Sequence, residues 1–389
     1  MTAGTSDVTR VSVATGPDAL VNADLVVGLG PDHPAGHGSL RLRLVVHEER
    51  IVSAEPVLGL LHRGAEKLFE VRDYRQILPL ANRHDWLGAF AGELGVALVV
   101  EEALGLPVPE RATWVRMLLA ELTRVASHLA FLHAFPVVVG QRASARPDPL
   151  REAILELFEE VSGARMHLTL CQLGGLRADL PAGWVARARH TVAAVRDGMA
   201  TLLAPLREPA VRARCTGVGV VTTEQIHAYG VSGPVARAAG LDVDLRRDEP
   251  YLAYAQLFGA GGPGRVVTRA EGDAQARLEV LAEQVDVSLD LADACLDRYA
   301  ALPRGPISVR LPKVVRVPEG QWYAATETPL GMTGCLLVST GGVTPWRLKL
   351  RTPSFATVGV LTDVLPGTRL SDLVTVLASL PFVIGDVER

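Results

Sequence analysis

From Leu40 the chain alternates apolar and polar positions as LRLRLVV, and HEERIVSAEPV follows with a polar turn at Glu48–Arg50. A period of two reads as two strands joined by that turn. The period then changes. GAEKLFEVR predicts a helix from near Gly64, and HDWLGAFAGELGVALVVEEALG predicts another from about His84 to Gly105, before Pro107. The clearest helix comes next. Pro109 stands at its start with Glu110 in the first turn, as helix N-termini favour. Trp114, Leu118, Leu122, Val125, Leu129 and Leu132 then recur at intervals of three and four, and Pro136 is the predicted stop. Further helices are expected over 149–162, 182–206 and 273–301. From about Gln321, WYAATET, GCLLVST, a turn at Gly341–Gly342 and WRLKLR read as antiparallel strands, closed by a helix near 370–379.

The order is strands, a helical middle, then strands, with no βαβ alternation. That favours an α+β fold over a doubly wound sheet. Residues 1–20 are small and polar and read as a flexible N-terminal tail, leaving 21–389 as the folded domain.

Composition narrows the class. Of 389 residues, 48% are apolar and 21% charged, which excludes disordered and collagen-like chains. Only 5% are aromatic, so Ala, Val and Leu must build the core. A net charge of −4 gives no electrostatic reason for nucleic-acid binding. Cys171, Cys215, Cys295 and Cys335 form no CxxC, so zinc ribbons, redox pairs and iron–sulfur cradles are not indicated, and a reducing compartment fits. The first residues lack the apolar core of a signal peptide. The uncharged stretch from Val125 to Gln141 is too short and too polar to span a membrane. At most, the protein is peripheral to one.

The common catalytic motifs fail one by one. A Walker loop needs Gly-Lys, and the three lysines follow Glu66, Pro312 and Leu348. The GxGxxG at Gly259, Gly261 and Gly264 contains Pro263 and lacks a βαβ context, so it reads as a surface loop. There is no GxSxG or HExxH. GLGPDHPAGHGSLRL places His33 and His37 four apart, but Pro34, Gly36 and Gly38 exclude a helix and no further ligands follow. A turn that holds a histidine toward a carbonyl or quinone fits better; His33 reads as tied to its own loop. His62 and Arg63 precede a helix, and alone they read as surface residues. His128, beside Arg124 and Glu121 on the strong helix, reads as a packed, hydrogen-bonded histidine.

Taken together, GPDHPAGHG (30–38), GLLHRGAEK (59–67), VPERATWVRMLLAELTRVASHL (108–129) and VSGARMH (161–167) resemble one family. GGLRADLP (174–181), SGPVARAAGLDVDLRRDEPYLAY (232–254), the stretch at 342–355 and GDVER (385–389) continue the match in order. The family is that of the D subunit of NADH-quinone oxidoreductase, which forms the quinone site of respiratory complex I. The resemblance implies the fold of nickel–iron hydrogenase large subunits, without nickel, because the two CxxC pairs that hold it are absent. It also implies a peripheral position on the cytoplasmic face of the cell membrane. There the chain would belong to a proton-translocating enzyme and be active only in the assembled complex. Quinone would be the substrate. The electrons would come from a 4Fe-4S cluster on an iron–sulfur partner, with a C-like subunit and membrane-arm subunits alongside; the chain would carry no metal or flavin of its own.

By the same resemblance, His37 would hydrogen-bond the quinone and Arg63 would lie near the partner's cluster. Three departures stand out. The family tyrosine that bonds the other quinone carbonyl is Trp86 here, whose indole N–H donates but cannot act as a phenolic acid. The aspartate that partners the quinone histidine is Val138. A short Pro-rich linker between Pro303 and Gln321 replaces a helix that carries a His-His-Phe stretch. Two functions therefore remain open: a quinone-reducing subunit, or a non-catalytic or altered-specificity paralogue that acts as a scaffold in a complex I-like assembly.

Overall fold

The computed structural model describes residues 25–29, 40–140 and 148–389. The first sheet is an antiparallel meander of β1 (Leu25–Leu29), β2 (Leu40–His47) and β3 (Arg50–Val57). As the alternation requires, Leu40, Leu42, Leu44 and Val46 of β2 are buried, and the turn between β2 and β3 falls at Glu48–Glu49. This face forms a satellite core with apolar residues drawn from 218–241 and 356–387.

α1 (Ala65–Phe69), α2 (Ile77–Ala81) and α3 (Ala89–Leu104) lead to α4 (Glu110–Val138), α5 (Pro149–Ser162) and α6 (Trp184–Arg207). A small hairpin, β4 (Cys171–Gln172) and β5 (Gly175–Leu176), lies between the last two. Next come α7 (Pro209–Cys215), α8 (Thr223–Tyr229), α9 (Gly233–Ala238), α10 (Leu245–Asp248) and α11 (Tyr254–Phe258), followed by α12 (Ala274–Ala301). The second meander is β6 (Glu319–Thr328), β7 (Gly331–Thr340) and β8 (Arg347–Arg351). α13 (Pro353–Gly359), α14 (Leu361–Val364), α15 (Leu373–Ser379) and α16 (Ile384–Val387) complete the chain. The fold is α+β, with α4 and α12 packed together through the main core. Among the described residues, no helix is long and apolar enough to cross a membrane.

The expectation at Pro136 is corrected: α4 runs through it to Val138. Proline removes one N–H only, and two residues from the end the remaining turn is closed by the Val139 N–H on the Phe135 carbonyl, 3.1 Å. The polar positions of α4 are the larger surprise. Arg116, Glu121, Arg124 and His128 are all fully buried. Arg116 forks onto Glu101 of α3 at 2.8 and 2.6 Å and also donates to the carbonyls of Gln172 and Gly175. Gly175 belongs there: a Cβ on it would stand 2.2 Å from the Ile307 carbonyl oxygen, in the Pro-rich linker. Glu121 accepts from Arg246, Tyr254 and Ser288, while Arg124 ties α4 to the carbonyls of Glu327 and Thr328 at the end of β6. His128 accepts at Nε2 from the Gln284 amide, 2.9 Å away, and burial beside Arg124 pushes its pKa down to about 3. It is the packed, hydrogen-bonded histidine that the sequence suggested, and burial keeps it neutral. The GxGxxG segment closes a tight turn after α11, where the Gly264 N–H reaches the Leu257 carbonyl.

Candidate functional site

Three stretches far apart in sequence converge: the loop after β3 (59–63), the turn between α2 and α3 (82–88), and the terminal GDVER segment. Glu388 organises the first. Its carboxylate accepts from the N–H groups of Gly59, at 2.7 Å, and Leu61, and its carbonyl accepts from His62 Nδ1 at 3.2 Å. Arg389 donates to Glu66 and to the carbonyl of Leu350. Glu66 also receives Arg347, Lys349 and the Leu350 N–H, a set of cations and donors that holds its carboxyl below the usual range despite burial.

Arg63 is exposed, and its guanidinium donates to the Arg83 carbonyl at 3.0 Å. Arg83, also exposed, donates to the Asn82 side chain at 2.7 Å, and His167 Nδ1 donates to the Asn82 carbonyl at 3.0 Å. Burial lowers the His167 pKa, and the neighbouring Arg83 and Arg63 lower it further. Two guanidinium groups and an imidazole thus share one patch. Beneath it, buried Glu93 of α3 accepts from Asn82 and from the N–H groups of Thr169, Leu170 and Cys171, fixing the segment that carries His167. Its carboxyl is raised, because burial outweighs these bonds.

The turn itself is built on acids. His84 Nδ1 donates to Asp386 at 2.9 Å, and the other Asp386 oxygen accepts from the Ser354 N–H at 3.2 Å. Asp85 accepts from the Leu87 N–H at 3.0 Å and is pushed up to about 7, first by burial and then by the charge of Asp386, with His84 acting in the opposite direction. A Cβ at position 88 would stand 2.4 Å from Asp85 Oδ2, so a larger residue there would displace the Asp85 carboxyl. Trp86 follows, half-buried against the main core, with the Arg151 guanidinium 5.9 Å above its ring. Arg151 lies in the first turn of α5, whose N-cap Asp148 accepts from Leu150. The second Asp148 oxygen is buried with no hydrogen bond among the described residues, and burial raises the Asp148 pKa.

Of the residues singled out by sequence, Arg63 and Trp86 lie in two of these stretches, the Arg63 guanidinium bonding the Arg83 carbonyl three residues before Trp86. Val138 is half-buried in the last turn of α4. His37, with His33 and the rest of GPDHPAGHG, lies outside the described residues. Sequence reasoning missed His84, Asp85, Asp148, His167 and Asp386 as members of this site. The RHDW, VSGARMH and GDVER segments that carry four of them were visible, but nothing local signals that they meet.

Residues 149–389 match the family described as "Respiratory-chain NADH dehydrogenase, 49 Kd subunit". The chain is 54% identical over 392 residues to a protein of Salinispora tropica named as the D 2 subunit of NADH-quinone oxidoreductase, covering 99% of this chain and 98% of the relative. A Streptomyces coelicolor protein, named as the D 1 subunit of the same oxidoreductase, is 54% identical over 98% of this chain and 99% of its own. A more distant relative of Carboxydothermus hydrogenoformans, named as the D subunit, is 36% identical over 95% of this chain and all of its own length.

Proposed function

The chain belongs to the family of the respiratory-chain NADH dehydrogenase 49 Kd subunit, and from that premise we propose that it forms, with an iron–sulfur partner, the site where quinone is reduced. The enzyme would be a proton-translocating NADH-quinone oxidoreductase, with this chain peripheral on the cytoplasmic face of the membrane beside a C-like subunit and the membrane-arm subunits. The exposed Arg63 and Arg83 beside the half-buried His167, fastened next to the Trp86 turn, carry this reading. A cationic face favours the electron-rich state of a carrier docked on it and disfavours its loss of charge. The 4Fe-4S cluster is the partner's, and this chain supplies the positive surroundings.

In this reading His37 bonds one quinone carbonyl and Trp86 donates its indole N–H to the other. Val138 offers no carboxylate to orient His37, which also makes the scaffold reading worth testing. A photoreactive quinone analogue added to the assembled complex decides between them. Labelling within 84–88, competed by excess quinone, supports the catalytic site; labelling confined to other subunits supports the scaffold.

A further inference from the structure

Reduction of a quinone to a quinol takes up two protons with two electrons. The indole of Trp86 donates a hydrogen bond but releases no proton at physiological pH. The two residues that precede it in the turn, His84 and Asp85, form with Asp386 of the terminal segment a cluster of two carboxylic acids and an imidazole. His84 is 4% exposed, Asp85 5% and Asp386 1%. They are held by bonds from separate elements: His84 Nδ1 on Asp386 Oδ1, the Ser354 N–H of α13 on Asp386 Oδ2, and the Leu87 N–H on Asp85. The Thr352 hydroxyl secures the Asp386 carbonyl at 2.7 Å. Gly92 of α3 faces His84 Nε2, and Pro329 faces Gly88.

Like-charge repulsion argues for a stored proton. Asp85 and Asp386 are two carboxyl groups in one cluster no more than 5% exposed, where two like charges are costly, and a proton on one of them relieves the repulsion. Resting on the quinone-reductase reading above, we propose that Asp85 is the proton store of this site, standing in for the absent phenol, with His84 and Asp386 as its positioning pair. In a turnover, two electrons pass from the partner's iron–sulfur cluster to the quinone. One new O–H bond takes the proton that leaves the Asp85 carboxyl, and the other takes a proton from bulk water. Asp85 is left as a carboxylate and recovers its proton from bulk water. No electron passes through the three side chains. The displaced Asp85 pKa, about 7, suits a group that loads and unloads near neutrality.

The test is the pH profile of quinone reduction by the assembled complex, with iron–sulfur content as the control. His84 and Asp386 are the titratable groups facing Asp85, and they act on it with opposite signs. Asp386→Asn removes a like charge and should move the alkaline limb of turnover to lower pH by about one unit. His84→Gln removes the opposing group and should move that limb to higher pH. Asp85→Asn should abolish the limb and lower turnover about tenfold or more. Opposite shifts are not produced by general loosening of the fold. Should Asp85→Asn fail to assemble, the other two variants carry the test. Infrared titration gives a readout without activity: a protonated-carboxyl band lost near pH 7, with its midpoint lowered in Asp386→Asn. Unshifted profiles, or a missing band in the wild type, overturn the proton store. Absence of quinone reduction by the loaded wild-type complex, with the band present, overturns the functional reading instead.

Discussion

Trp86→Tyr combined with Val138→Asp puts a phenol and a carboxylate at two of the three positions where the family resemblance implies a departure. The structural cost is modest. Trp86 is only half-buried, so the smaller ring gives up ~1 kcal/mol of packing. Val138 stands in the last turn of α4, where an aspartate meets the negative end of the helix at ~0.3–1 kcal/mol, and loses a further ~1 kcal/mol of apolar burial. In return, a carboxylate that orients His37 adds a charge-assisted hydrogen bond of ~1.5–3 kcal/mol. A gain of ~1.4 kcal/mol in the barrier is tenfold in rate, so the double variant should turn over about tenfold faster. Each single change should give less, with a coupling of at least ~0.5 kcal/mol, because both groups serve the same proton transfer. The assay is inhibitor-sensitive quinone reduction by the assembled complex, normalised to its iron–sulfur content. A fully loaded double variant that turns over at the parental rate would refute the reasoning about both positions.

Other consequences follow from the same contacts. Arg116→Met strands Glu101 in the interior, so chemical denaturation should show a loss of ~3–5 kcal/mol. His128 is neutral when folded, at about 3 against 6.5 for the free side chain, so the unfolded chain binds the extra proton and stability falls as pH drops below 6.5. By pH 5 the loss is ~2 kcal/mol, and His128→Leu should flatten that slope when stability is measured from pH 7 to pH 5. Glu388→Ala frees the N–H groups of Gly59 and Leu61, and should weaken binding of the iron–sulfur partner about tenfold in a titration by calorimetry, because the loop that presents Arg63 loses its anchor.

The parts of the fold that were legible are those in which one period holds over many residues. The alternation of β2 and the stripe of α4 from Trp114 to Leu132 predicted the right elements and the right buried faces. The short helices between Pro209 and Phe258 were not, since four to seven residues carry too little period to read. Pattern reading also sends polar residues outward, and α4 breaks that assumption: Arg116, Glu121 and Arg124 are buried against partners from α3, α10 and β6. The site was half legible. Arg63 and Trp86 came from motif resemblance, whereas the pairing of His84 with Asp386 spans 302 residues, and no local rule connects them. Glu388 reaches the 59–62 loop from as far away.

The most direct test of the proposed quinone site is turnover of the assembled complex carrying His37→Ala. Iron–sulfur content and partner binding should be unchanged, and quinone reduction should fall about a hundredfold, as removal of a positioned proton donor does. Parental turnover in a fully loaded His37→Ala complex would contradict the account, assigning the histidine to its loop and the chain to a scaffold.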